Sequence, residues 1–184
     1  MKKVVLFFGL LIGLAGIYSF TTTESEAAHG PVKWYTWEEA VAANKKNPKK
    51  FYVDVYTDWC GWCKVMDKKT FTDHDVAEYL NTNFYPIKLN AEQKEDINFD
   101  GQIFAFLEVE GSRRGGVHTL AYSLLEGKMS YPSFVFLNEK YERIMVSPGY
   151  KKPAQLLPEL KFAADEIYKT TEWAAYAAKN VPKD

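Results

Sequence analysis

Residues 57–64 read Thr57-Asp58-Trp59-Cys60-Gly61-Trp62-Cys63-Lys64, and they contain the only two cysteines of the chain. A Cys-x-x-Cys pair placed where a strand turns into a helix can close and reopen a small disulfide. The first sulfur then lies at the helix N-terminus, where unpaired N–H groups favour a thiolate. The spacing therefore predicts that Cys60 is a nucleophile and that Cys63 is its resolving partner.

Two other uses of the cysteine pair are open. A structural zinc site needs two further ligands, and the candidate histidines, His29, His74 and His118, are scattered along the chain. A purely structural disulfide across so short a loop would stabilise the fold weakly, because it removes little entropy from the unfolded chain. We therefore expect redox chemistry, with no metal and no other cofactor.

The first residues have the layout of a secretory signal peptide. Met1-Lys2-Lys3 precedes a run without charge from Val4 to Phe20, and the chain then becomes polar. The small residues of Ser25-Glu26-Ala27 predict cleavage after Ala27, which divides the chain into a signal peptide, residues 1–27, and a domain, residues 28–184. The apolar run is slightly shorter than the ~20 residues that span a bilayer, so an uncleaved membrane anchor is the alternative. Both alternatives place the domain outside the cytoplasm, because the positive residues stay inside.

Length, charge and cysteine content favour a single-domain protein and argue against two classes, nucleic-acid-binding proteins and disulfide-scaffold proteins. Residues 28–184 are enough for one domain with a proper core. The net charge of −1 gives no support to nucleic-acid binding. Two cysteines so close together do not make a disulfide scaffold, and in an exported protein they are better explained by reactivity. We also expect a monomer.

A helix and a strand precede the cysteines. Thr36 and Glu39 form a capping box, which predicts a short helix that Asn47-Pro48 ends. The aromatic and β-branched run Phe51–Tyr56 is typical of a strand buried on both faces. Asp54 is unusual in such a strand, and burial should raise its pKa, which indicates a hidden partner or a catalytic role.

Helices and a second strand follow the cysteines. The first helix continues over Lys64–Lys69, and the polar run Thr72–Asp75 predicts the N-cap of another helix, through Leu80. Residues 84–89 are predicted to form a strand with Pro86 near its start. This alternation predicts an α/β sheet with at least one parallel pair.

The middle of the chain contains turn signals. Asp-Gly within residues 97–104 predicts a hairpin. Residues 111–116 are predicted to be a flexible loop whose two arginines face solvent. Residues 117–125 follow as a short predicted helix with His118 in its first turn.

The last third is predicted to return to strands and then to helix. Residues 134–137 form a buried strand, which a short turn connects to an antiparallel strand over residues 141–146. Residues 158–168 form a helix that starts at a proline, and the tail over residues 171–180 extends it.

Residues 51–64 resemble the signature of the thioredoxin superfamily, in which a buried Asp on the central strand precedes Trp-Cys-x-x-Cys-Lys. Asp54 stands at the position of that Asp, and Lys88 resembles the lysine that pairs with it. Tyr131-Pro132 resembles the cis-proline segment. The stretch Phe71–Leu80 is most similar to exported thioredoxin-like proteins of bacteria. The resemblance implies an α/β, thioredoxin-like fold, with a central mixed β-sheet flanked by helices and an inserted hairpin and loop before the cis-proline.

The likeness extends from Phe51 to Tyr168, with two departures. Gly61-Trp62 lacks the proline that thioredoxin has between its cysteines, so the reduction potential of thioredoxin does not carry over. Residues 94–116 form an insertion that should border the active site, because its far end leads to Pro132. Either it selects the partner or it elaborates the scaffold.

The resemblance implies an extracytoplasmic thiol:disulfide oxidoreductase that exchanges disulfides with protein substrates. Asp54, coupled to Lys88, would take the proton from Cys63 when that residue attacks Cys60. Pro132, in cis, would leave neighbouring backbone groups to pair with the substrate chain.

Aromatic residues beside the cysteines complete the expected site. Trp59, Trp62 and Tyr131 would contribute to substrate binding, although for Trp59 packing in the core is the favoured role. The expected partners are proteins with thiols or disulfides, together with a membrane or envelope redox partner. The alternative function is a non-catalytic thioredoxin-fold binding module, which acts as a redox switch or delivers a metal.

Overall fold

The computed structural model describes residues 31–112 and 115–182. Its helices, in chain order, are α1 (Trp37–Asn44), α2 (Gly61–Lys69), α3 (His74–Asn83), α4 (Thr119–Leu124), α5 (Pro153–Ala164) and α6 (Trp173–Asn180). Its strands are β1 (Lys50–Tyr56), β2 (Phe84–Asn90), β3 (Ile97–Phe99), β4 (Gln102–Phe104), β5 (Phe106–Glu108), β6 (Gly116–His118), β7 (Ser133–Leu137) and β8 (Arg143–Pro148).

A mixed sheet of four strands, in the order β2-β1-β7-β8, forms the centre of the molecule. β1 pairs in parallel with β2 and antiparallel with β7, and β7 pairs antiparallel with β8. The predicted parallel pair and the predicted antiparallel pair are both confirmed. β8 begins at Arg143 instead of Tyr141, because Tyr141 lies in the preceding turn with a φ of 66°.

Side chains of β1 alternate between two hydrophobic layers, since successive residues of a strand point to opposite faces. Phe51 and Val55 pack in a layer with α1, α4 and β3. Tyr52 packs in the other layer, which includes Met66 of α2 and residues of α3 and α5. Asp54 shares the face of Tyr52, so its carboxylate points toward the α2 side of the sheet.

Local signals explain where several elements begin. The Thr36–Glu39 capping box is present, with the Glu39 N–H donating to the Thr36 hydroxyl at 3.2 Å. The carboxylate of Asp73 accepts the Val76 N–H at the start of α3. Pro86 lies near the start of β2, which is an edge strand, and there its missing N–H leaves no ladder bond unmade.

The insertion before β7 contains two hairpins where one was predicted. The β3–β4 hairpin is confirmed, with Asp100 and Gly101 at φ values of 50° and 75°. At the end of the predicted flexible loop over residues 111–116, Gly116 belongs to β6, which pairs with β5 in a second hairpin. The helix predicted over residues 117–125 was wrong at its start. His118 ends β6 and caps α4, its ring Nδ1 accepting the Leu120 N–H.

The C-terminal helix was also predicted incorrectly. α5 begins at Pro153, which occupies the first turn, and Pro158 lies inside the helix instead of starting it. The tail does not extend α5, because Glu166 has a left-handed φ of 58° and a single 3-10 turn follows. α6 folds back instead, and Trp173 lies with its ring centroid 5.1 Å from that of Phe162.

Two predictions lie outside the described residues, namely the signal peptide of residues 1–27 and the exposure of Arg113 and Arg114. Among the helices of residues 31–112 and 115–182, none combines the length and the apolar character that crossing a membrane requires.

Candidate functional site

Cys60 and Cys63 form a disulfide at the N-terminus of α2, with their Cα atoms 5.3 Å apart. Cys60 is the N-cap of the helix, and its sulfur accepts the Cys63 N–H at 3.1 Å. The turn after β1 is closed by the Cys60 N–H, which donates to the Thr57 carbonyl at 3.0 Å. In the reduced protein, a thiolate on Cys60 would face the Cys63 N–H and the positive end of the helix. The helix N-terminus and the Cys63 N–H therefore give a structural reason for the predicted roles, with Cys60 as the nucleophile and Cys63 as the resolving residue.

A buried carboxylate lies on the α2 side of the sheet. Asp54 is 1% exposed, and the Lys88 ammonium donates to its Oδ2 at 2.7 Å. Its other oxygen, Oδ1, has no hydrogen-bond partner within the described part of the chain. Lys88 also contacts Asp67 of α2. Parallel pairing places Asp54 directly opposite Lys88, which explains how two distant residues meet.

The electrostatics of this pair follow from burial and charge together. Burial raises the pKa of Asp54 to about 6, although the Lys88 ammonium lowers it. Burial lowers the pKa of Lys88, but Asp54 and Asp67 raise it more, so the pKa of Lys88 is raised. Asp54 is therefore a carboxylate that can gain or lose a proton near neutral pH. Asp67 was missed from the sequence, although it lies four residues after Cys63 and so on the same side of α2.

The Tyr131–Pro132 peptide bond is cis, as the resemblance implied. The Tyr131 ring lies edge-on to the Trp59 ring, with 5.7 Å between the centroids. The carbonyl of Pro132 accepts the Gly149 N–H at 2.8 Å. These contacts place the cis-proline segment between the turn before α2 and the loop after β8.

Both tryptophans of the motif are exposed. The prediction that Trp59 packs in the core was wrong, because its side chain is 47% exposed and its indole N–H donates to the Glu92 carboxylate at 3.0 Å. Trp62 is 61% exposed and packs against Tyr150 at 5.3 Å between ring centroids. Glu92 and Tyr150 follow β2 and β8 in the chain, and no local pattern marks them as site residues.

A cavity of about 350 Å³ lies against Trp59, the residue that precedes Cys60. One wall contains Trp59, Met129 and Tyr131, and the other is formed by the β5–β6 hairpin through Val109 and Val117. Further lining residues are Glu92, Ser112, Gly116 and Ser130. The insertion therefore borders a cavity that Trp59 and Tyr131 also line, and we name this cavity the hairpin groove.

Of the three histidines considered as zinc ligands, His29 lies outside the described residues, and His74 and His118 have other surroundings than the cysteine pair. His74 begins α3 at the surface and pairs with the Asp75 carboxylate at 3.2 Å, as expected for a first-turn residue. His118 is fully buried under the insertion. Across residues 31–112 and 115–182, no group of three or more His, Cys, Asp and Glu side chains is placed to hold a metal ion.

Comparison with known proteins identifies relatives over most of the chain. Residues 22–156 match the family model described as "Thioredox_DsbH: Protein of unknown function, DUF255". Spermatogenesis-associated protein 20 of Rattus norvegicus is 32% identical over 89 residues, which cover 48% of this chain and 11% of that protein. Thiol:disulfide interchange protein DsbD of Colwellia psychrerythraea is 33% identical over 87 residues, which cover 45% of this chain and 14% of that protein. The chain thus spans only a small part of the length of these curated relatives.

A solved thioredoxin-fold protein from Helicobacter pylori superposes with a TM-score of 0.56 at 17% identity, over 85% of this chain and 88% of that one. Likeness at this level of identity concerns the fold, and it confirms the thioredoxin-like architecture. Together with the Cys60–Cys63 pair, the relatives indicate a thiol–disulfide redox function.

Proposed function

Because the chain belongs to the Thioredox_DsbH family, we propose that it is a thiol:disulfide oxidoreductase that exchanges disulfides with protein substrates through Cys60 and Cys63. The observation that carries this proposal is the disulfide at the N-terminus of α2, together with a buried carboxylate, Asp54, one oxygen of which has no hydrogen-bond partner among the described residues. A structural disulfide across so short a loop would contribute little stability, and it would not need a desolvated Asp54 behind it.

The reduced protein would act in two exchange steps. The Cys60 thiolate attacks one sulfur of a substrate disulfide, so a mixed disulfide forms and the other substrate sulfur leaves as a thiolate. Cys63 then loses its proton and attacks the Cys60 sulfur, which releases the second substrate thiolate. Two electrons pass to the substrate, and the protein is left with the Cys60–Cys63 disulfide. A further dithiol protein, which we place in the membrane or envelope, must reduce it again.

Asp54 is proposed as the proton acceptor for Cys63. Its Oδ1 is buried and free of hydrogen bonds to the described residues, while Oδ2 is held by Lys88. A carboxylate with a pKa of about 6 can accept a proton near neutral pH and release it again. Lys88 would hold the carboxylate in place and limit the rise in its pKa.

Substrate binding would use the surfaces around the disulfide. Trp59, Trp62 and Tyr131 present aromatic faces there, and Pro132 lies between them and the loop after β8. We assign partner selection to the hairpin groove, because loops on a rigid scaffold commonly carry specificity.

The working compartment is part of the proposal. The positively charged start, the uncharged run and the small residues before Ala28 support export through a signal peptide over residues 1–27. Residues 28–184 would then function as one thioredoxin-like domain outside the cytoplasm, where oxidised protein substrates occur.

The Cys63→Ser variant tests this proposal in cells. Cys60 can still attack in this variant but the mixed disulfide cannot be resolved, so substrates should accumulate as adducts that a reductant releases. The variant that also carries Cys60→Ser is the matched control and should trap none. Absence of adducts from both variants would favour a non-catalytic binding module.

A further inference from the structure

The segment that begins at the last residue of β8, residues 148–151, connects the disulfide site to a polar cluster. Gly149 donates its N–H to the Pro132 carbonyl at 2.8 Å, and the Tyr150 ring packs on Trp62. Two groups beside the disulfide therefore depend on the position of this loop. Lys151 ends this loop, and no step of the proposed reaction uses it.

Lys151 contacts three parts of the structure. Its N–H donates to the Met66 sulfur of α2 at 3.2 Å, and its carbonyl accepts the Thr70 hydroxyl at 2.7 Å. Its ammonium group turns back and donates to the carbonyls of Pro148, at 2.6 Å, and Gly149, at 3.2 Å. The side chain is only 18% exposed. The backbone of Lys151 thus ties the loop to α2, and its ammonium group holds the carbonyls of the same loop, which contacts Pro132 and Trp62.

A buried carboxylate faces this cation. Glu159 of α5 has a side chain that is 4% exposed, and its Oε1 lies 4.0 Å from the Lys151 ammonium. The Ser147 hydroxyl donates to the same oxygen at 2.7 Å. Burial raises the pKa of Glu159 to about 7, so its charge is incomplete near neutral pH. The direct hydrogen bonds of Lys151 to the loop carbonyls therefore contribute more to the position of the loop than the charge of Glu159 does.

We propose that Lys151 is a positioning residue, which, assisted by Glu159, holds the 148–151 loop so that Pro132 and Trp62 are set to receive a protein substrate. This inference rests on the proposed function. It concerns substrate docking and leaves the chemistry at the sulfurs to Cys60, Cys63 and Asp54. A protein substrate must contact the surfaces on both sides of the disulfide, whereas a small disulfide needs only access to Cys60.

The test compares four variants with the unmodified protein. Lys151→Met keeps the length of the side chain but cannot donate, Lys151→Arg restores the donor, and Glu159→Gln keeps the bond to Ser147. Lys169→Met is the matched control, because Lys169 also pairs with a glutamate, Glu166, but on an exposed surface. Two readouts are measured: KM and kcat with insulin and with 5,5′-dithiobis(2-nitrobenzoate), and the NMR resonance of the Trp62 indole N–H.

Lys151→Met should raise KM for insulin by about tenfold, the size expected for lost hydrogen bonds from a charged donor. The rate with the small disulfide should stay close to that of the unmodified protein, because a small disulfide needs only access to Cys60. The Trp62 resonance should shift, Lys151→Arg should restore both readouts, and Glu159→Gln should show a smaller effect. Lys169→Met should change neither readout.

An unchanged KM for insulin together with an unchanged Trp62 resonance in Lys151→Met would overturn the inference. An equal loss with insulin and with the small disulfide would also overturn it, since that result indicates a general defect. If the unmodified protein turns over neither substrate, the proposed function fails, and the Trp62 resonance still decides whether Lys151 positions the loop.

Discussion

The Lys88 ammonium lies 2.7 Å from a carboxylate oxygen of Asp54, on neighbouring parallel strands and beneath the helix that begins with the Cys60–Cys63 disulfide. The carboxylate is almost fully desolvated, and its second oxygen has no partner within the described ranges. A buried acid that is only half satisfied is costly to keep for stability alone. Asp54 therefore combines desolvation with an oxygen that is open to accept a proton, as the proposed role in deprotonating Cys63 requires.

Replacing Asp54 by Asn should slow the resolving step. The amide fits the same space in β1 but cannot accept a proton, and removal of a general base typically costs about 100-fold or more. The lifetime of the mixed disulfide with a substrate, followed by rapid acid quenching and mass spectrometry, measures this step. Equal lifetimes for Asp54→Asn and the unmodified protein would remove Asp54 from the mechanism.

The same substitution should stabilise the protein at neutral pH. The pKa of Asp54 is raised to about 6 in the folded state and is about 3.9 in an unfolded chain. The folded state therefore binds the proton more tightly, so the contribution of Asp54 to stability is present below pH 4 and is lost as the pH rises through 6. The difference of about two pKa units corresponds to about 3 kcal/mol.

Urea unfolding of the oxidised protein between pH 4 and pH 8 measures this effect. The stability advantage of Asp54→Asn should grow up to about pH 6 and then level off. Asp67→Asn is the control, because Asp67 also contacts Lys88 but has a side chain that is 45% exposed, and its effect should be under about 1 kcal/mol. A stability advantage that shrinks as the pH rises would contradict the assigned direction of the pKa shift.

The two cysteines should differ in reactivity once the disulfide is reduced. Cys60 caps α2, so its thiolate is stabilised by the helix N-terminus and by the Cys63 N–H. Brief treatment with iodoacetamide near neutral pH, followed by peptide mass mapping, should find the label mainly on Cys60. Preferential labelling of Cys63 would reverse the assigned roles of nucleophile and resolving residue.

The hairpin groove offers a test of partner selection. Val109 lines the groove and is 46% exposed, so Val109→Ser should lower kcat/KM for a protein substrate by several-fold, through loss of apolar contact area. Ile103 lies on the other hairpin of the insertion, is 68% exposed, and supplies the control Ile103→Ser. If both variants behave like the unmodified protein, the insertion is scaffold.

The sequence was sufficient for the parts of the site that depend on periodicity and chain order. The alternation of strands and helices predicted the parallel pair of the sheet. The pairing of Asp54 with Lys88 was implied by the resemblance, and the parallel register explains it. The cysteines were placed correctly because Cys60 follows a strand and caps a helix.

Contacts between loops could not be predicted in this way. Trp59 is held at the surface by Glu92, and Trp62 by Tyr150, and both partners come from loops without a repeating pattern. The strands β5 and β6 are only three residues long, too short for an alternation of polar and apolar residues to be recognised. Pro158 resembled a helix start, but Pro153 already occupied the first turn.

Catalytic turnover of a protein disulfide tests the central claim most directly. Insulin in large excess, with dithiothreitol as the reductant, should be reduced many times per molecule of protein, at a rate well above that of dithiothreitol alone. The Cys60→Ser variant, which keeps the tryptophans and the hairpin groove, should abolish the acceleration. Reduction of at most one equivalent of disulfide per molecule, or an equal rate with Cys60→Ser, would contradict the assignment as a thiol:disulfide oxidoreductase.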